Sequence, residues 1–267
     1  MRRRILKNMR VLREMMKLRL HGTLVFRLDF FAPFFIDGSL FAAQLMAFSA
    51  IYSNVDTIGT WGRSEMILYL GTFSLLNALS MMICFFGIAS IPWKVRNGEL
   101  DLYLTKPISP LFRFTFESIN IGSLPLVLMS LCIIGYGAKG LGTEVGALQI
   151  VSYCFWVAVM AVLYYEMEVL IRSVSLYVVS MARLEQLEDA GLELCMKLPG
   201  NTFYGIYKVI FYLLLPYGMM ATLPVQSMLG EMSAKLAWYG IGVVLLFSVL
   251  TAFVWKNGLR KYNSASS

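Results

Sequence analysis

The chain has 267 residues, 58% of them hydrophobic and only 15% charged, against roughly 45–50% and 25% in soluble domains. So much apolar side chain does not fit inside one soluble domain of this size, and the same figures exclude a disulfide-stapled secreted scaffold and a disordered tail. What remains is an integral membrane protein whose 23 Lys and Arg outnumber 16 Asp and Glu, for a net charge of +7.

Residues 1–27 form a basic segment. Ile5, Met9, Leu12, Met16 and Leu20 make one apolar stripe at helical spacing, flanked by Arg3, Arg10, Arg13 and Lys17. The segment reads as an amphipathic helix lying on anionic headgroups; its other side, with Val11, Met15 and Leu18, is open to a cytoplasmic partner. It is too long and too basic for the n-region of a signal peptide. His21 ends it with no second His or nearby Cys, which argues against metal or general-base chemistry.

A bilayer core about 30 Å thick takes about 20 apolar residues at 1.5 Å each. Six stretches within 28–256 meet that length: Phe30–Tyr52, Met66–Ile91, Phe114–Tyr136, Val145–Ile171, Ile206–Thr222 and Leu236–Trp255. The predicted fold is therefore all-α: one polytopic domain of six transmembrane helices, with a loop at 92–113 and a short tail at 257–267. Basic residues flank the cytoplasmic side of spans. Sorted by loop, twenty Lys and Arg fall on the side of both termini and three (Arg63, Lys139 and Lys235) on the other. Both termini are thus expected in the cytoplasm of a cell-membrane protein. Pro216 and Pro224 break helix five, and the segment 217–233 reads either as a kinked span with a polar loop or as a short re-entrant piece before Ser233.

Cys84, Cys132, Cys154 and Cys195 have no metal-ligand spacing and read as small apolar residues. There is no phosphate-cradling Gly-Lys-Ser or Gly-Lys-Thr, no GxSxG and no HExxH. No catalytic residue, metal or cofactor is expected on this chain, and no nucleic acid as partner. Uphill transport would draw on a gradient or on another polypeptide.

The loop after the second span is the most informative. Arg96, Glu99 and Asp101 interleave with Leu100, Leu102 and Leu104; Gly98 permits a turn, and Pro107 and Pro110 stop any helix beyond it. A short stiff amphipathic element at the membrane surface suits contact with another protein, and equally a surface-lying linker.

Arg96-x-Gly98-Glu99-Leu100-Asp101-x-x-Leu104-x-x-Pro107-x-x-Pro110 resembles the hallmark of the six-span ABC-2-type permeases. Ile58-Gly59-x-Trp61 with Glu65, and Gly140-Leu141-Gly142, resemble the same branch. The resemblance implies the membrane half-subunit of an ATP-binding-cassette exporter, paired with a second permease chain, identical or paralogous, among membrane lipids. ATP and magnesium would sit on separate cytoplasmic ATPase subunits. The loop would be the coupling helix, with Arg96, Gly98, Glu99, Leu100, Asp101 and Pro107 as the ATPase contact set. The basic N-terminal helix would be a second contact. Leu100 and Leu104 are expected to anchor in the partner's groove, so Leu100→Asp should uncouple transport with the fold intact.

Charges inside spans are costly and often functional. Asp37 in the first span reads as a cargo contact or as a satisfied hydrogen-bond partner. Glu117 and Asn120 are expected one turn apart on the third span, on the same side. Glu166 and Arg172 close the fourth, where a salt bridge between helix ends is expected. The acidic run Glu185–Glu193 reads as a solvated helix, or as a partner for the basic N-terminus or the ATPase. Two other classes remain: a gradient-driven secondary transporter using Asp37, Glu117 and Glu166, and a non-transport membrane scaffold.

Overall fold

The computed structural model describes residues 27–142, 145–178 and 180–262. The expected N-terminal amphipathic helix and His21 lie outside the described residues, as does the end of the tail. Among the described residues there are helices and turns and no strand beyond one isolated bridge between Ile58 and Trp61.

The long helices are α1 (Arg27–Ile51), α2 (Arg63–Ile83), α7 (Leu124–Lys139), α8 (Ala147–Ser173) and α13 (Ala234–Lys261). Between α2 and α7 lie four short helices: α3 (Phe85–Ala89), α4 (Ile91–Arg96), α5 (Asp101–Leu104) and α6 (Pro110–Glu117). Between α8 and α13 lie α9 (Ala182–Lys197), α10 (Gly205–Val209), α11 (Tyr217–Met220) and α12 (Thr222–Leu229). Among the described residues four segments are long and apolar enough to cross a membrane, Arg63–Ile83, Ile121–Gly140, Ala147–Leu176 and Ala234–Lys261, and a fifth if the bent pair Gly205–Leu214 and Tyr217–Leu229 counts as one.

Two expected spans are shorter than their hydropathy implied. The second ends at Ile83, because the backbone breaks at Cys84 before α3. The third starts at Ile121, because residues from Pro110 to Glu117 form the separate, strongly amphipathic α6. Gly87 lies against this break: a Cβ there would sit 1.8 Å from the Phe114 carbonyl oxygen, so only glycine lets α3 and α6 touch.

The bundle has two distinguishable ends. One carries Trp61 and the turn between α1 and α2, the other Arg172. Helices α8 and α13 run in the same direction, from the Trp61 end to the Arg172 end. Gly240 lies against Trp156, Ser248 bonds Glu166, and Gly258 lies against Leu176. Helix α2 runs the same way and α7 returns beside it, with Ser74 and Ser130 bonded at 2.8 Å. The main core lies between α2, α7, α8, α12 and α13, and a second cluster gathers at the Arg172 end.

The expected fifth span, Ile206–Thr222, is not one helix. It continues from α10 through a π-type turn at Ile210–Leu214, breaks at Leu215–Pro216, and resumes in α11 and α12 with a bend of 79°. Pro216 has no N–H to continue the ladder. Both ends of the bent segment lie at the Trp61 end. Asn201, just before it, donates to Thr60 at 2.8 Å, and Ser227 near its close bonds Ser152, at the start of α8, at 2.5 Å. Its middle dips between the helices, where Tyr217 reaches Glu188 at 3.4 Å. What carries the chain along the bundle is α9, which the sequence presents as a solvated acidic helix. It begins near Arg172, and further along it the Cys195 and Met196 carbonyls accept from Tyr69 of α2 and Gln44 of α1. Lys197 and Lys208 therefore lie at the Trp61 end with Arg63, Lys139 and Lys235, on the side opposite to the one their loop assigned them.

Candidate functional site

At the Arg172 end, α4 and α5 form a tight hairpin. Asn97 and Gly98 close α4; Gly98 has φ 71°, a left-handed value that glycine adopts without steric cost. The Gly98 amide donates to Val95 O at 3.3 Å and the Leu100 amide to Lys94 O at 3.3 Å, so the turn is pinned by its own backbone.

One carboxylate ties this hairpin to α6. Glu117 Oε1 accepts from the Tyr103 hydroxyl at 2.7 Å and pairs with Lys94 Nζ at 3.4 Å; its Oε2 pairs with Arg113 Nε at 2.8 Å. Lys94 also donates to the Tyr103 hydroxyl. The Tyr103 ring stacks on Phe114 at 4.4 Å, with the Arg113 guanidinium 4.2 Å from its centroid. Burial acts to raise the Glu117 pKa, but the Tyr103 hydrogen bond and the two cations outweigh it and hold the carboxyl below its ordinary value. Burial, and then Glu117 itself, push the Tyr103 hydroxyl well up.

Leu100 does not face outward as expected. It is 0% exposed, packed inside the chain with Ile88, Ile91, Phe114, Val169 and Trp255, so it anchors the hairpin to its own helices and not to a partner. Asp101 is half-buried, beside Tyr262. The outward apolar groups are Trp93, Leu102 and Leu104, at 50%, 62% and 42% exposure. Arg96 and Pro107 are exposed among them, with Gly98 and Glu99 half-buried. Sequence reading missed Trp93, Lys94 and Tyr103. The Lys94 and Tyr103 spacing relative to Glu117 carried no signal without the fold.

A second polar group lies where α9 meets α8. Arg172 pairs with Glu188 and, at 3.4 Å, with Glu168; Tyr217 donates to the other Glu188 oxygen at 3.4 Å. The expected salt bridge at the end of the fourth span thus forms, but with Glu168 and Glu188 in place of Glu166. Glu166 instead accepts from Ser248, and its carbonyl accepts from Thr251 at 3.2 Å, which locks α8 to α13.

Asn120 does not share a helix with Glu117, because the backbone breaks between them. Its side chain caps the turn at Ile121–Ser123 by accepting from Gly122 N at 3.0 Å, and its amide donates to Met82 O at 2.9 Å. Asp37 falls on α1, with its side chain outside the described residues. No group of three or more His, Cys, Asp or Glu capable of holding a metal occurs among the described residues.

Residues 39–266, most of the chain, match the model of a family described as ABC-2 family transporter protein. No curated protein and no solved structure matches the chain.

Proposed function

The chain belongs to the ABC-2 family of transporter proteins, and from that premise we propose that it is the membrane permease of an ATP-binding-cassette exporter whose hairpin α4–α5 docks on a separate cytoplasmic ATPase. The observation that carries this reading is the build of the hairpin. It is clamped inward by Leu100 and Glu117, while Trp93, Leu102 and Leu104 face out beside Arg96 and Pro107. A rigid mount with an exposed aromatic and aliphatic patch, rimmed by charge, has the composition of a protein-binding surface. Of the contact set implied by the sequence pattern, Arg96, Gly98, Glu99 and Pro107 are retained, Leu100 acts from within, Asp101 stays beside Tyr262, and Trp93, Leu102 and Leu104 are added. ATP and magnesium belong to the partner.

The chain crosses the membrane six times in this reading, through α1, α2, 121–140, α8, α9 and α13, with 205–229 as a re-entrant hairpin from the outer side. The Arg172 end is cytoplasmic, since the larger share of the cations lies there. The face of α9 turned away from the bundle carries Arg183, Gln186, Asp189, Glu193 and Lys197, all exposed. Lipid would leave these groups without solvation. That face therefore fronts an aqueous pathway shared with a second permease chain. Glu117 and Glu166 are engaged in helix-holding contacts, which removes two of the three carboxylates a gradient-driven mechanism would use.

The test is a pair of substitutions, Trp93→Asp and Leu102→Asp, in the chain co-expressed with its ATPase. The expected result is loss of the co-purifying ATPase and of vanadate-sensitive hydrolysis, with the permease still extracted as a folded species. A complex that keeps its ATPase with both aspartates in place overturns the docking surface.

A further inference from the structure

The bent segment and the start of α13 border an open cavity of about 530 Å³ at the Trp61 end. Two lysines from different elements line it: Lys208 on α10 and Lys235 at the first turn of α13. Hydropathy assigned them to opposite sides of the membrane; the fold brings them to one groove. The walls are lashed together by the Tyr239 hydroxyl, which donates to Tyr212 O at 3.1 Å, so the cavity is a fixed feature of the packing.

Its charge is one-sided. No carboxylate lines it, and neither lysine has an ion pair among the described residues. Lys208 Nζ has only the Tyr212 ring, 5.7 Å away. Glu231, the nearest carboxylate in sequence, is turned elsewhere, accepting from Trp61 Nε1 at 3.4 Å. Beside the lysines the lining includes the apolar Val209, Leu213 and Leu236. The surrounding surface carries Tyr204, Tyr207 and Trp238, each more than 60% exposed, the aromatic belt of a membrane–water interface. The cavity volume lies within the range of small-molecule sites. Two cations without an ion pair among the described residues, beside apolar side chains and next to these aromatics, match a phosphate monoanion carrying acyl chains.

We propose that this cavity is a binding site for an anionic phospholipid, with Lys208 and Lys235 on the phosphate and the apolar side chains of the lining against the upper acyl chain. Ser233 adds a hydroxyl at the rim, although its oxygen is already engaged with the Leu236 amide at 3.2 Å. The inference needs only the membrane location of the chain and stands independently of the ATPase.

The experiment measures lipid binding to the purified transporter, delipidated in detergent, by native mass spectrometry and by thermal shift. The probes are dioctanoyl phosphatidylglycerol, dioctanoyl phosphatidylcholine and inorganic phosphate. The anionic lipid is expected to bind and stabilise, and the other two to do so weakly. Lys208→Gln/Lys235→Gln should weaken the phosphatidylglycerol by about 30-fold, from two basic contacts of the strength seen at anionic membrane surfaces. Lys208→Arg/Lys235→Arg should retain it. Both lysines are exposed, so neither change threatens the fold. Equal binding of the two lipids overturns the proposal, as does equal protection by phosphate alone, or affinity for phosphatidylglycerol that survives the double glutamine variant.

Discussion

Arg172 is the residue whose loss should be felt most. Its guanidinium lies between Glu168 and Glu188, whose side chains are 2% and 1% exposed, and Tyr217 reaches the same group from α11. Replacing Arg172 with Met keeps the volume and leaves two carboxylates buried together with no cation. Breaking such a group by removing one partner costs about 3–5 kcal/mol, most of it from the uncompensated charge. At about 2–4 °C per kcal/mol for a chain of this size, the midpoint of thermal unfolding in detergent should fall by roughly 10 °C. Cys195 on α9 and Cys84 at the break after α2 are free and buried, so a thiol-reactive fluorophore reports release of α9 directly, against a constant background from the exposed Cys132 and Cys154. The triple variant Glu168→Leu/Arg172→Met/Glu188→Leu separates the causes: with no charge left to strand, its midpoint should return to within a few degrees of the parent. The reasoning is refuted if Arg172→Met unfolds within about 1 °C of the parent, because a solvated pair is worth only about 0–1 kcal/mol.

The same logic applies at the hairpin with a pH signature. Because the native Glu117 pKa is depressed, its contribution is complete above the ordinary carboxylate value of about 4.3 and is lost as pH falls through the depressed native value. Glu117→Gln should lower hairpin stability by about 2 kcal/mol at neutral pH, read by proteolysis at Lys106, and flatten the acid limb of the stability profile; an unchanged acid limb counts against this clamp. Leu100→Asp places a charge in a fully buried apolar cluster, so it should cost about 4 kcal/mol or more and deplete the folded permease itself. Recovery of a folded, merely uncoupled Leu100→Asp protein by size-exclusion chromatography would restore the outward role that the sequence pattern implies.

Hydropathy located α2, α8, α13 and the later part of the third span, because those helices present apolar side chains on nearly every face. It says little of α9, where the cation that neutralises Glu188 lies on another helix. Glu188 reads as solvated until Arg172 is seen beside it. The usable trace was the pair Glu168 and Arg172, four residues apart in an otherwise apolar run, an internal ion pair still open to one more carboxylate. The bend in the expected fifth span was hidden for the opposite reason. Residues 216–225 are apolar because they are buried among helices, whereas Ile206, Val209 and Leu214 face outward; burial inside protein has the same composition as exposure to lipid. Pro216 marked the break, but proline is tolerated in spans and does not reveal a reversal. At the hairpin, the leucines at 100, 102 and 104 alternate over too few residues for periodicity to tell inside from outside. Only the cluster beneath Leu100 decides it.

The two polar clamps share one apolar cluster, and this bears on how a push at the hairpin would be received. Leu100, Tyr103 and Phe114 pack with Val169 and Leu176 from the α8 side and Trp255 from α13, and Phe114 meets the Trp255 ring edge-on at 6.3 Å. Densely packed contacts of this kind do not deform continuously, so the hairpin and the ends of α8 and α13 form one body. Arg172 is four residues before Leu176 on this same path, and its pairing with Glu188 joins α9 to that body. Helix α9 ends at Lys197, beside Leu198, whose carbonyl accepts from Tyr69 at 3.3 Å, and Asn201 then bonds Thr60. One helix therefore links the hairpin's foundation to the entrance of the bent segment, held by the ion pair at Glu188 and, at its far end, by the Tyr69 and Gln44 side chains on its backbone carbonyls. Arg172→Met cuts this link at the hairpin end, whereas Glu117→Gln leaves it whole and loosens only the hairpin's own mount.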